Sequence, residues 1–132
     1  MVTREDLQSF LDRIEPDGLS SRELEPGLWV IDLPDGAELA VTFAGPLVLL
    51  RVRVMPVPAD PLRRGELFRQ LLEYNARDLV HGSYGLEGEH VVLTDALGTD
   101  DLDFSEFRAS VEGISLALAS HLGALAPYRE TR

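Results

Sequence analysis

The sequence predicts an α+β fold in which helices pack on an antiparallel sheet, in the order α-β-β-β-α-β-β-α. Apolar residues recur at helical spacing in three separate stretches, residues 7–14, 67–79 and 107–125. The segments between them alternate with a period of two, as half-buried strands do. Short turns join those strands, whereas parallel pairing needs a crossover of about a dozen residues or more. The chain has 132 residues, of which 45% are hydrophobic. That suits one domain spanning residues 1–132, with a core of its own.

Thr3 and Asp6 have the spacing of a capping box, and Leu7, Phe10, Leu11 and Ile14 follow on one helical face until Pro16-Asp17-Gly18. Residues 19–26 are polar and acidic and read as a loop. From there Trp29, Ile31 and Leu33 alternate with Leu28, Val30 and Asp32 up to the turn Pro34-Asp35-Gly36. Leu39, Val41 and Phe43 mark a second strand, ended by Gly45-Pro46. In the third, Val48, Leu50, Val52 and Val54 oppose Leu49, Arg51, Arg53 and Met55, and the two arginines assign the first set to the core. Asp60 and Pro61 start a helix as N-cap and first-turn proline. Leu67, Phe68, Leu71, Leu72 and Leu79 form its apolar stripe, Glu73 and Arg77 pair on its outside, and His81-Gly82 ends it. Residues 83–86 and 91–93 read as a hairpin about Glu87-Gly88-Glu89. Asp103 and Glu106 cap a last helix with Phe107, Val111, Ile114, Leu118, Leu122 and Leu125 on one face, closed by Pro127.

Charge excludes several function classes. With 23 acidic and 12 basic residues the net charge is -11, whereas nucleic-acid binding needs a basic footprint. Neither nucleic acid nor a membrane is an expected partner. Every basic residue is arginine, so no lysine can form a Schiff base or serve a P-loop. The absence of cysteine removes thiolate catalysis, disulfides and cysteine-ligated metals. Met1-Val2-Thr3-Arg4-Glu5-Asp6 turns acidic at once, unlike a signal peptide, and a cytoplasmic location is expected.

No catalytic set, cofactor site or metal site is expected. Asp101, Asp103, Ser105 and Glu112 mimic the spacing of a calcium loop, but Glu106 stands where that loop needs glycine. Together with Asp100 these carboxylates suit the capping of a helix N-terminus. His81, His90 and His121 lack metal-ligand spacing, and His121 falls beside the apolar stripe of the last helix. A hydrolase would have to draw on Asp100, Asp101 and His90. Ser83, in Gly82-Ser83-Tyr84-Gly85, is one residue too tight for a nucleophile elbow.

The element order and the run Leu71-Leu72-Glu73-Tyr74-Asn75 resemble the class I type III secretion chaperones and the YbjN-like domains that share their fold. Residues 81–93, acidic Asp100-Asp101-Leu102-Asp103 and the amphipathic helix after them are similar to the second half of that group. The resemblance implies a non-enzymatic, acidic, cytoplasmic homodimer that holds an extended segment of a client protein. Its YbjN-like branch implies instead a sensory or stress-regulatory domain with an unassigned ligand and a regulatory partner.

Two surfaces are candidates for protein contacts. Gly113, Ala117, Ser120 and Ala124 form a stripe of small residues on the last helix, suited either to close packing on the protein's own sheet or to a self-complementary dimer contact. Leu28, Val30, Ala40, Leu49 and Met55 share the outward sheet face with Arg51 and Arg53. Such a mixed apolar and arginine surface suits a protein interface, unless helices cover more of it than the pattern implies.

Overall fold

A computed structural model describes residues 1–129. Helix α1 (Arg4–Ile14) leads through a 3₁₀ turn (Glu15–Asp17) into strands β1 (Ser21–Glu25), β2 (Leu28–Asp32), β3 (Glu38–Ala44) and β4 (Leu47–Pro56). Helix α2 (Pro61–Arg77), strands β5 (Ser83–Glu87) and β6 (His90–Gly98), and helix α3 (Phe104–Arg129) follow. The strands form a six-stranded sheet in the order β1-β2-β3-β4-β6-β5, antiparallel at every pairing. The α+β class matches expectation, with one strand more than the alternation pattern marks.

The added strand is β1, in the stretch read as a loop. Arg22, Glu23, Leu24 and Glu25 are all exposed, so the strand carries no apolar alternation by which a sequence could reveal it. Its pairing with β2 holds it in the sheet. The second hairpin is also longer than expected, with β6 running nine residues.

The core lies on one face of the sheet. Leu7, Leu11 and Ile14 of α1, Leu67 and Leu71 of α2, and Phe107, Val111, Ile114, Leu118 and Leu125 of α3 meet Trp29, Ile31, Val41, Leu50 and Leu93. Leu122 is only half-buried, and His121 takes its place in the stripe. Phe10 fixes α1 to α3, with its ring 5.8 Å from both Phe104 and Phe107.

The expected helix starts are present. The Thr3 hydroxyl accepts from the Asp6 N–H at 3.1 Å and Asp6 accepts from the Thr3 N–H at 3.0 Å. Asp60 caps α2 through the Arg63 N–H at 3.0 Å. Asp103 and Glu106 cap α3 reciprocally, at 2.8 and 3.3 Å, so these two carboxylates are engaged with backbone amides. The ends differ from expectation. Helix α2 stops at Arg77, before His81-Gly82. Helix α3 continues through Pro127 to Arg129, and Arg63 donates to the Pro127 carbonyl.

Met55 is a correction of register. Strict alternation would set it beside Arg51 and Arg53, but β4 bulges between Arg53 and Met55, so Arg53 faces Val92 while Met55 faces Val91. Met55 is therefore 2% exposed and belongs to the core.

Candidate interaction surfaces and a buried histidine

The opposite sheet face carries the first candidate. In register, Leu28, Thr42, Leu49 and Ala96 form one cross-strand row. Val30, Ala40, Arg51, Thr94 and Ser83 form the next. A shallow groove of about 630 Å³ runs along these rows, lined by Leu28, Ala40, Thr42, Leu49, Arg51 and Ala96 among others. Leu49 is 39% exposed, and Arg51 and Arg53 are exposed as expected. Val30 is a second correction: it lies on this face yet is buried, and so offers little contact area. It stands directly opposite Arg22 in the ladder, as Val92 stands opposite Arg53, and arginine stems can cover apolar neighbours.

Charges on this face are paired across strands. Arg22 bridges Asp32 at 3.1 Å and Glu38 at 2.8 Å, first through its bond to Glu38, which raises its pKa. Arg51 pairs with Glu87. Among the described residues Arg53 has no ion-pair partner, leaving a guanidinium beside the groove's row.

The small-residue stripe serves the fold in its first half. A Cβ on Gly113 would come within 2.9 Å of the His81 ring, so the missing side chain makes room for His81. Ala117 packs against the core. Only Ser120 and Ala124 are exposed.

Helix α2 bears an apolar surface that the single-stripe reading folded into the core. Leu67 and Leu71 are buried, but Leu72 is 67% exposed and Leu62 73%. Gly65, Phe68, Leu72 and Ala76 share one side of the helix, flanked by Arg69 and Glu73. The signal lay in an apolar arc wider than one buried face requires.

A buried histidine forms the most connected polar cluster. His121 of α3 is 4% exposed. Its Nδ1 lies 2.7 Å from the Tyr84 hydroxyl on β5, and its Nε2 lies 3.1 Å from Asp78 at the end of α2. The Tyr74 ring stacks on the imidazole at 3.6 Å. One arrangement satisfies every group: the tyrosine hydroxyl donates to Nδ1, and Nε2–H donates to the carboxylate. Burial pushes the Tyr84 pKa up, with smaller contributions from Tyr74 and Asp78. The connectivity mimics a carboxylate–imidazole–nucleophile chain, but the tyrosine is 6% exposed and held protonated. The cluster therefore fastens α2, β5 and α3 together. The phase of His121, three after Leu118 and four before Leu125, was the signal for its burial.

A second polar pair spans the core layer. Asp95 sits opposite Leu50 on the inward face of β6 and accepts from the Ser110 hydroxyl at 2.6 Å. Among the described residues no group of three His, Cys, Asp or Glu side chains could hold a metal ion.

The comparisons with known proteins follow this architecture. The family model CesT_Tir_1 matches residues 2–131. No curated protein is a significant sequence match. One similar solved structure is the heterodimeric ExoU-SpcU complex from the type III secretion system of Pseudomonas aeruginosa, with 19% identity, 92% of this chain and 96% of that chain covered, and a TM-score of 0.66. A second is the ExsC-ExsE complex, at 18% identity, 98% and 97% coverage and a TM-score of 0.63. A third is YbjN of E. coli, described as a proposed transcription regulator, at 16% identity, 93% coverage of both chains and a TM-score of 0.66. At these identities the structural likeness establishes the fold.

Proposed function

The chain belongs to the CesT_Tir_1 family of type III secretion chaperones, and on that premise we propose that it is a non-enzymatic, cytoplasmic homodimer that holds an extended segment of a client protein. The observation that carries this reading is the uncovered sheet face, where Leu28, Leu49 and Ala96 line a groove beside Arg51. It combines apolar anchors with arginine, the composition of a protein-binding surface. The net charge of -11 suits a protein-binding chain that is kept soluble and turned away from nucleic acid and anionic membranes. Helix α3 has the length and apolarity of a membrane span, with mean hydropathy 1.3; we read it as a core helix because Phe107, Val111, Ile114, Leu118 and Leu125 are buried among the sheet residues.

The dimer contact we assign to α2 in place of the small-residue stripe. Its exposed side suits a symmetric contact: Gly65 and Ala76 allow close approach, Leu72 and Phe68 supply apolar area, and Arg69 and Glu73, paired with each other along the helix at 3.5 Å, flank it. Light scattering is expected to give twice the 14.6 kDa chain mass, and L72E is expected to give a folded monomer.

The client reading is tested by co-expression with proteins encoded beside this chain's gene. A co-purifying complex is expected, and L49D is expected to dissolve it without unfolding the chain. A folded chain that retains none of them overturns the client role. A second reading, a regulatory domain with a small ligand, is favoured by the YbjN likeness. It requires a metabolite that raises the melting temperature, since a ligand bound only by the native state stabilises it.

A further inference from the structure

The two edges of the open sheet, β1 and β5, are guarded in different ways. Charged side chains commonly keep an edge strand from pairing with another chain. β1 carries three of them, Arg22, Glu23 and Glu25. β5, Ser83-Tyr84-Gly85-Leu86-Glu87, carries only Glu87, which is paired with Arg51, and its Leu86 is 52% exposed. In an antiparallel ladder each residue directs its N–H and C=O to the same side, alternately toward one neighbour and the other. On β5 the backbone groups of Tyr84 and Leu86 are the ones turned away from β6.

Asn75, near the end of α2, takes the place of the missing charges. Its Nδ2 donates to the Tyr84 carbonyl at 3.0 Å and its Oδ1 accepts from the Tyr84 N–H at 2.7 Å. One amide thus makes the two bonds that a residue of a neighbouring strand would make. Without it β5 would be self-complementary. Two copies set antiparallel about a two-fold axis at Gly85 would place each Tyr84 opposite the other copy's Leu86, and each Glu87 opposite Ser83. No like charges would meet across that ladder, and Gly85 would bring no side chain to the axis. Both backbone-bonded pairs of the contact contain Tyr84, so the Asn75 amide disables both.

We propose that the β5 edge is a latent contact surface for a second copy of this chain, and that the Asn75 amide holds it closed. Belonging to the same chain, the amide is present at a high effective concentration and outcompetes a strand arriving from solution. The edge contact depends on neither the client role nor the α2 dimer.

The test measures mass by light scattering over a concentration series, with circular dichroism as the check on folding. N75A is expected to self-associate as concentration rises, reaching at least double the mass of the unaltered chain. N75D, an isosteric variant that sets a carboxylate oxygen against the Tyr84 carbonyl, is expected to do the same. L86P removes a backbone donor from the free side of β5, which an edge strand tolerates, so N75A/L86P is expected to return to the unaltered mass. Adding N75A to L72E is expected to raise the mass as well, which separates this edge from the α2 contact. Folded N75A and N75D that both keep the unaltered mass overturn the proposal. So does association that persists in N75A/L86P or that disappears in N75A/L72E. If neither Asn75 variant folds, amide hydrogen exchange in the unaltered chain decides: the Tyr84 N–H is expected to exchange at least tenfold more slowly than the Leu86 N–H, and equal rates overturn the closure of the edge by Asn75.

Discussion

The Tyr84 hydroxyl on β5 lies 2.7 Å from Nδ1 of His121 on α3, and both residues are buried. Removing that hydroxyl leaves the imidazole nitrogen without its partner. Y84F is therefore expected to cost about 1–3 kcal/mol. The double variant Y84F/H121F, which removes the second polar group as well, is expected to cost less than the sum of Y84F and H121F when the cycle is followed by thermal denaturation.

The same tyrosine sets a response to alkali. Burial raises its pKa in the folded state above the ordinary tyrosine value of 10.0. The unfolded chain therefore loses this proton first, and stability present below that value declines as pH rises beyond it. Melting temperature measured across alkaline pH should fall more steeply for the unaltered protein than for Y84F.

Gly113 and Gly123 lie on the same helix and should respond in opposite directions to alanine. Nothing stands within 4 Å of a Cβ built on Gly123, so G123A is expected to stabilise the protein by about 0.5–1 kcal/mol. A Cβ on Gly113 meets the His81 ring at 2.9 Å, so G113A is expected to be neutral or destabilising. Pairing it with H81A should restore the gain, as read by chemical denaturation.

Met55 and Arg53 are two residues apart and should differ sharply. M55A opens the core and is expected to cost about 2–5 kcal/mol. R53A changes an exposed side chain and should stay within about 0.5 kcal/mol.

The contrast between these positions explains what could be read in advance. Trp29, Ile31, Val41, Leu50 and Val52 announce their faces because a covered sheet enforces a period of two, and all are buried. Thr3 with Asp6 and Asp103 with Glu106 announce helix starts because their bonds are local. The bulge before Met55, the exposed strand at Arg22 to Glu25 and the Asn75 amide against Tyr84 depend on partners distant in sequence, and no local spacing encodes them. The outward face was legible at Leu28, Leu49, Arg51 and Arg53. It was not legible at Val30, whose burial depends on which side chain stands across the ladder. Helix α2 shows the same limit: Leu71 and Leu72 are chemically identical, and only packing decides that one is inside.

The extra residue in β4 also governs how the chain leaves the sheet. Val54 and Met55 are consecutive and both turned inward, which flat alternation forbids, and Pro56 is turned out. A bulge sharpens the local twist of a strand. The half-step thus acts as a steering joint for the connection to α2: the Val57 N–H then reaches the Glu89 carbonyl in the neighbouring turn at 2.8 Å. Shortening β4 by one residue there would leave the composition of the core almost unchanged while aiming the helix that carries Leu72 and Asn75 in another direction.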